Sequence, residues 1–205
     1  MEIIYQGAES IIYLDEFEDQ KVLVKERIQK NYRIQQIDKK LRKDRTKQEG
    51  KLLTEARKCG VLTPKILKLE ENKIVMEYVD GTRMKELLNS ADEKTIERNC
   101  LEIGKLVGKL HSHDIIHGDL TTSNMILKEG KIYIIDFGLG QFSKRIEDKG
   151  VDLNLLFKAL KSTHFKILKL CWENIVKGYK EEYKDAKIVL KKVEEIEKRI
   201  RYAKR

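Results

Sequence analysis

The chain has 205 residues, 40% of them hydrophobic and 38% charged, with 43 Lys+Arg against 34 Asp+Glu for a net charge of +9. That composition excludes a disordered chain, and no apolar run approaches the ~18 residues of a membrane span. The opening Met1–Gly7 lacks a basic start and a long apolar stretch, so no signal peptide is expected and a cytoplasmic location is. Three scattered cysteines without a C-x-x-C pair fit buried thiols in a reducing compartment.

In chain order, Ile3–Tyr5, Ile11–Leu14 and Lys21–Val24 are short runs rich in Ile, Val, Leu and Tyr, separated by turn-like segments, and predict an antiparallel strand set. Arg33–Lys58 is charged, with Ile34, Ile37, Leu41, Leu52, Leu53 and Ala56 at roughly helical spacing, and predicts a helix that Gly60 stops before Thr63-Pro64. Ile66–Leu69 and Lys73–Tyr78 predict a second hairpin across Glu71-Asn72. After Gly81 the pattern turns helical, over Arg83–Leu88 and Asp92–His113. Strands Met125–Leu127 and Ile132–Ile135 flank Glu129-Gly130, and Lys149 onward is helical. Strands with one helix, then mostly helices, make an α+β chain of two lobes, residues 1–79 and 80–205, hinged near Glu77–Gly81. Charge gathers in two stretches, Lys25–Arg45 and Lys187–Arg205, which suggests an anionic partner; a solvated lysine-rich surface is the plainer alternative.

The chemistry-bearing stretch is His117-Gly118-Asp119-Leu120-Thr121-Thr122-Ser123-Asn124, followed by Ile135-Asp136-Phe137-Gly138. Asp119 and Asn124 share a short loop before one strand, and Asp136 ends its partner, so a hairpin brings three oxygen-bearing side chains to one mouth. Asn124 and Asp136 suit Mg²⁺, which takes few protein oxygens plus phosphate. Asp119 is then free to orient or deprotonate a hydroxyl. The spacing resembles the protein-kinase pair H-R-D-x-x-x-x-N and D-F-G. On that pattern Lys25, ending Val22-Leu23-Val24-Lys25, is the phosphate-pairing lysine, and Glu49 is its partner on the helix, with Glu55 as rival. Gly7, Ala8, Glu9 and Ser10 stand where a glycine-rich phosphate loop would lie, with one glycine only. Met76, Glu77 and Val79 occupy the hinge, where the Glu77 carbonyl and the Val79 amide would meet adenine. His111, His113 and His117 lack the carboxylate or cysteine pattern of a metal site; His117 is expected to brace the catalytic loop and His111 to end its helix.

The departures narrow the reading. Gly118 replaces the arginine of H-R-D, no A-P-E can follow because the only proline is Pro64, and helix resumes near Val151. The platform that grips peptide substrates is missing. With Lys25-Glu26-Arg27, Lys30-Asn31-Tyr32-Arg33, Asp38, Leu41, Arg45, Glu49, Gly60–Pro64 and Asp152-Leu153 added, the sequence resembles the small, Rio-like atypical kinase subunit of the KEOPS complex over almost its whole length. It departs at Ile34-Gln35, where that family often has His-Pro, and in a tail without glycine. The resemblance implies a minimal bilobal kinase-like fold using ATP and Mg²⁺. It implies serine/threonine autophosphorylation, but mainly ATPase action, in the complex that makes threonylcarbamoyl-adenosine in tRNA. Its partners would be an ASKHA-fold threonylcarbamoyltransferase subunit, a small docking subunit and tRNA, contacted by Arg199, Arg201, Lys204 and Arg205. A small-molecule kinase of aminoglycoside-phosphotransferase type and a non-catalytic tRNA-docking adaptor are the alternatives.

Overall fold

A computed structural model describes residues 2–203, with the side chains of the final helix described as far as Arg199. The N-terminal part is an antiparallel sheet of β1 (Glu2–Gln6), β2 (Ser10–Phe17), β3 (Gln20–Arg27), β4 (Ile66–Leu69) and β5 (Lys73–Glu77), in the order β1-β2-β3-β5-β4. One helix, α1 (Gln35–Lys58), interrupts it. Side chains alternate across β3. Val22 and Val24 enter a small cluster with Tyr13 and Val75, while Lys25 and Arg27 turn to Glu49 of α1.

Arg33 was expected to open α1 but lies in a turn closed by its own amide donating to the Lys30 carbonyl; the helix starts at Gln35. Asp38 explains the delay. Its carboxylate accepts from the Lys30 amide and from Arg42, and pairs with Arg33, tying the turn to the first helical residues.

Beyond Glu77 the chain crosses to β6 (Thr82–Arg83), α2 (Met84–Ser90), α3 (Glu93–Ser112), β7 (Ile115–Ile116), β8 (Met125–Lys128) and β9 (Lys131–Ile134). Then come β10 (Gln141–Phe142), α4 (Ile146–Thr163), α5 (Leu168–Glu182) and α6 (Ala186–Ala203). Arg83, expected to be helical, instead pairs with Ile126 across β6 and β8, so α2 begins one residue later. Asp92 caps α3 by accepting from the Thr95 amide at 2.8 Å. Helix α4 starts at Ile146, ahead of the expected Lys149.

The main core runs without a break from Leu52, Leu53 and Ala56 of α1, through Met84, Ile103 and Leu110, to Leu153, Leu156, Ile175 and Val189. Each of the leucine, isoleucine, valine and methionine side chains, fully buried, contributes about 1.5–3 kcal/mol. Helix α1 therefore belongs to the sheet by position and to the helical core by packing. Cys100 and Cys171 lie in that core as free thiols; Cys59 is only half-buried. Among the described residues no helix is long and apolar enough to cross a membrane.

Candidate active site

Lys25 lies within β3, two residues before its end. Its ammonium donates to Glu49 Oε1 at 2.7 Å and to Asp136 Oδ1 at 2.6 Å. Burial alone would lower the Lys25 pKa, but the two carboxylates outweigh it and hold the group above its ordinary value. Burial would likewise raise the Asp136 carboxyl, yet Lys25, helped by the Gly138 amide, holds it below the ordinary range. The Asp136 side chain is 41% exposed, so water or a ligand reaches it directly. Glu49 lies in the middle of α1 with its side chain buried. Glu55, six residues on, has turned outward and pairs with Lys58.

The catalytic-loop side is built locally. The Asn124 amide group donates at 2.9 Å both to the Asp119 carbonyl and to Asp119 Oδ2, which fixes the exposed Asp119 carboxylate; among the described residues no protein group donates to Asn124 Oδ1. The Ile135 amide donates to the Asn124 carbonyl, so β8 and β9 set Asn124 beside the approach to Asp136. His117 braces the loop: one ring nitrogen bonds the Ile135 carbonyl at 3.0 Å, the other accepts from the Asp119 amide, and the ring packs on buried Phe137 at 4.6 Å. His111 sits in the last turn of α3 but does more than end it. It is fully buried, bonding the Tyr179 hydroxyl at 2.8 Å and Asp152 at 3.3 Å.

Asp152 is the residue whose role the sequence did not disclose. Its two oxygens accept from the His117 and Gly118 amides, each at 2.8 Å. Burial would raise its pKa, but His111 and those contacts keep it below the ordinary value. In the sequence it is legible only as one member of a motif, with no spacing rule tying it to a loop 34 residues away. The missing arginine at Gly118 also gains a cause: φ is +82° there, and a Cβ would stand 2.2 Å from the Leu139 carbonyl oxygen.

Across the β1–β2 turn the Gly7 amide donates to the Ser10 carbonyl. Glu9 is drawn sideways to Arg45 at 2.8 Å and Arg33 at 3.5 Å, and the Lys30 ammonium donates to the Ala8 carbonyl. The loop is thus fastened to the α1 region by charge, in place of glycine flexibility. At the hinge, Met76 and Val79 are buried, and Glu77 pairs its backbone and carboxylate with Lys65, away from the cleft. Arg199 bridges Glu147 at 3.2 Å and Glu195 at 3.9 Å. The Arg201 side chain, Lys204 and Arg205 lie outside the described residues. Among the described residues no three His, Cys, Asp or Glu side chains converge as a metal cluster. The oxygen set of Asn124 Oδ1 and the Asp136 carboxylate nevertheless fits Mg²⁺, which completes its shell with water and phosphate.

Residues 11–149 match the RIO domain family. The chain is 48% identical over its full length, and over 98% of the relative, to KEOPS complex subunit Bud32 of Pyrococcus abyssi. It is 47% identical over 96% of its length to a probable bifunctional tRNA threonylcarbamoyladenosine biosynthesis protein of Methanosarcina acetivorans, of which it spans only 35%. In fold it is similar to the Rio2 kinase of Chaetomium thermophilum, solved as an ADP/Mg²⁺-phosphoaspartate complex. The TM-score is 0.66 at 15% identity, covering 97% of this chain and 70% of that one.

Proposed function

The chain belongs to the RIO family of atypical protein kinases, in the group of the archaeal KEOPS subunit Bud32, and from that premise we propose that it is an Mg²⁺- and ATP-dependent phosphoryl-transfer enzyme acting in KEOPS mainly as an ATPase, with autophosphorylation on Ser or Thr as a side activity. The observation that carries this reading is the convergence of Lys25 on both Glu49 and Asp136 beside an Asp119 carboxylate held by Asn124.

In this reading Lys25 pairs with nucleotide phosphates, oriented by Glu49. The amides of Ala8, Glu9 and Ser10 cover the phosphates, while Met76, the Glu77 carbonyl and the Val79 amide receive the adenine. Mg²⁺, when bound by Asn124 and Asp136, supplies charge neutralisation at the phosphates. Asp119 orients the attacking hydroxyl and takes up its proton. It is exposed at the mouth, so water reaches it as readily as a protein hydroxyl. Only seven residues, 139–145, separate Gly138 from α4, too few for a peptide-gripping segment, which favours water as acceptor.

The partners in this reading are the ASKHA-fold threonylcarbamoyltransferase subunit, the small docking subunit and tRNA, in the cytoplasm, with the basic tail from Arg199 to Arg205 on tRNA phosphates. The test is ATP consumption in Mg²⁺ by the purified chain, alone and with partner subunit and tRNA, beside Asp119→Ala. Turnover that rises with tRNA and falls at least about 100-fold in Asp119→Ala is expected. Turnover unchanged by the substitution would refute the role given to Asp119.

A further inference from the structure

Arg27 follows Lys25 by two residues on β3, so both side chains leave the same face of the sheet. Its guanidinium is buried and donates to Glu49 Oε2 at 2.6 Å, while Lys25 takes Glu49 Oε1 at 2.7 Å. One carboxylate on α1 is thus shared by two cations from one strand. Both cations also border the D-F-G turn: a Cβ built on Gly138 would lie 3.2 Å from the Lys25 ammonium, 3.5 Å from the Arg27 guanidinium and 3.0 Å from Asp136 Oδ1.

The charge count of this cluster is informative. Lys25 and Arg27 against Glu49 and Asp136 sum to zero, which suits a buried site without a ligand. Asp136 is the one exposed member, and the proposed function turns it toward Mg²⁺. The three that remain carry a net +1. A lysine paired with glutamate alone would carry none, and its pull on a phosphate would be largely cancelled at close range.

We propose that Arg27 is a charge-setting residue of the nucleotide site: by taking half of Glu49, it leaves Lys25 with uncompensated positive charge facing the polyphosphate of a nucleoside di- or triphosphate. The proposal rests on the phosphoryl-transfer reading given above. It also separates two duties that one lysine–glutamate pair would have to share, since Glu49 can fix the position of Lys25 without neutralising it.

The test is calorimetric binding of Mg²⁺–ADP to the full chain and to a charge series at the same positions. Arg27→Gln lowers the residual cluster to zero and is expected to bind about tenfold more weakly. Glu49→Gln raises it to +2 and is expected to bind more tightly than wild type. The double variant Arg27→Gln/Glu49→Gln returns it to +1 and is expected within about threefold of wild type. A purely structural role, pinning α1 to β3, predicts weaker binding in all three, and that outcome overturns the proposal. If Arg27→Gln does not fold, Glu49→Gln against the double variant decides, and equal affinity of those two overturns it. Wild-type chain that binds no Mg²⁺–ADP, with its melting curve intact, removes the phosphoryl-transfer reading and the Arg27 proposal with it. Wild-type binding with an unordered series removes the Arg27 proposal alone.

Discussion

On the sheet side of the cleft, Lys25, Arg27 and Glu49 are held by ion pairs between β3 and α1, whereas on the helical side the Asp119 loop is held by its own backbone amides donating to Asp152. The first arrangement has an exchangeable member: Asp136 is partly exposed and bonded to an ammonium that phosphate can also claim. The Asp152 brace of the second has none. Asp152 and His111 are fully enclosed, and that carboxylate accepts from the His117 and Gly118 amides and faces the His111 ring. Under the proposed function, the contrast separates a part of the site that would change partners on ligand binding from a buried brace behind the loop. It follows that substitutions on the fixed side should act first on stability, and those on the exchangeable side first on ligand affinity.

The largest effect expected from breaking the fixed side is at Asp152. Asp152→Ala strands the buried His117 amide, the half-buried Gly118 amide and a buried histidine, and should cost about 3–5 kcal/mol in chemical denaturation, with turnover lost alongside. The same residue sets an acid limit. Its folded carboxyl titrates below the ordinary 3.8, so its contribution is complete above about pH 5 and is lost as pH falls through 3.8 toward the depressed folded value. Asp152→Asn should therefore flatten the acid limb of the stability curve; an unchanged limb would assign that limb to another carboxylate.

Gly118→Ala is the next largest. A Cβ there meets the Leu139 carbonyl oxygen at a φ that favours glycine, and either the loop or the segment after Gly138 must shift. A loss of about 1–3 kcal/mol, with turnover reduced more than nucleotide affinity, would sharpen the division between the two sides. At the far end of the scale, Arg199→Ala should change stability by less than about 0.5 kcal/mol, because that side chain is 64% exposed and its bridge to Glu147 is screened. A larger loss by thermal melting would mean that the start of the basic tail is structural and less free to serve an anionic partner.

The two sides also differ in how they could be read from the sequence. Asp119, Asn124 and Asp136 lie within 18 residues on a loop and a hairpin, and local spacing suffices to gather them. The longer strands and helices α1 and α3 are legible from apolar runs and spacing, with boundary shifts where tertiary partners intervene, as at Arg33 and Arg83, whereas α4, α5 and α6 read only as one helical tract from Lys149. The two-residue strands β6, β7 and β10 had no signal of their own, since pairing across the fold is all that defines them. Arg27, two residues from Lys25, carries no such signal in the sequence. An arginine on a strand is commonplace until the opposite helix is seen to place one glutamate between both cations.

What the sequence determined by itself was the set of chemical groups and their local order: an acid and an amide on one loop, a second acid one hairpin later, a lysine directly after an apolar Val-Leu-Val run. These follow from covalent spacing and from side-chain periodicity, which act over a few residues. What only the tertiary structure decided was the electrostatic state of those groups. Whether Lys25 faces one carboxylate or two, whether Glu49 serves one cation or two, and what holds the His117–Gly118 amides depend on residues 24, 22, 111 and 34 to 35 positions apart. Coulomb energy and desolvation depend on distance through space, and packing of α1 and α4 against the cleft is what sets those distances.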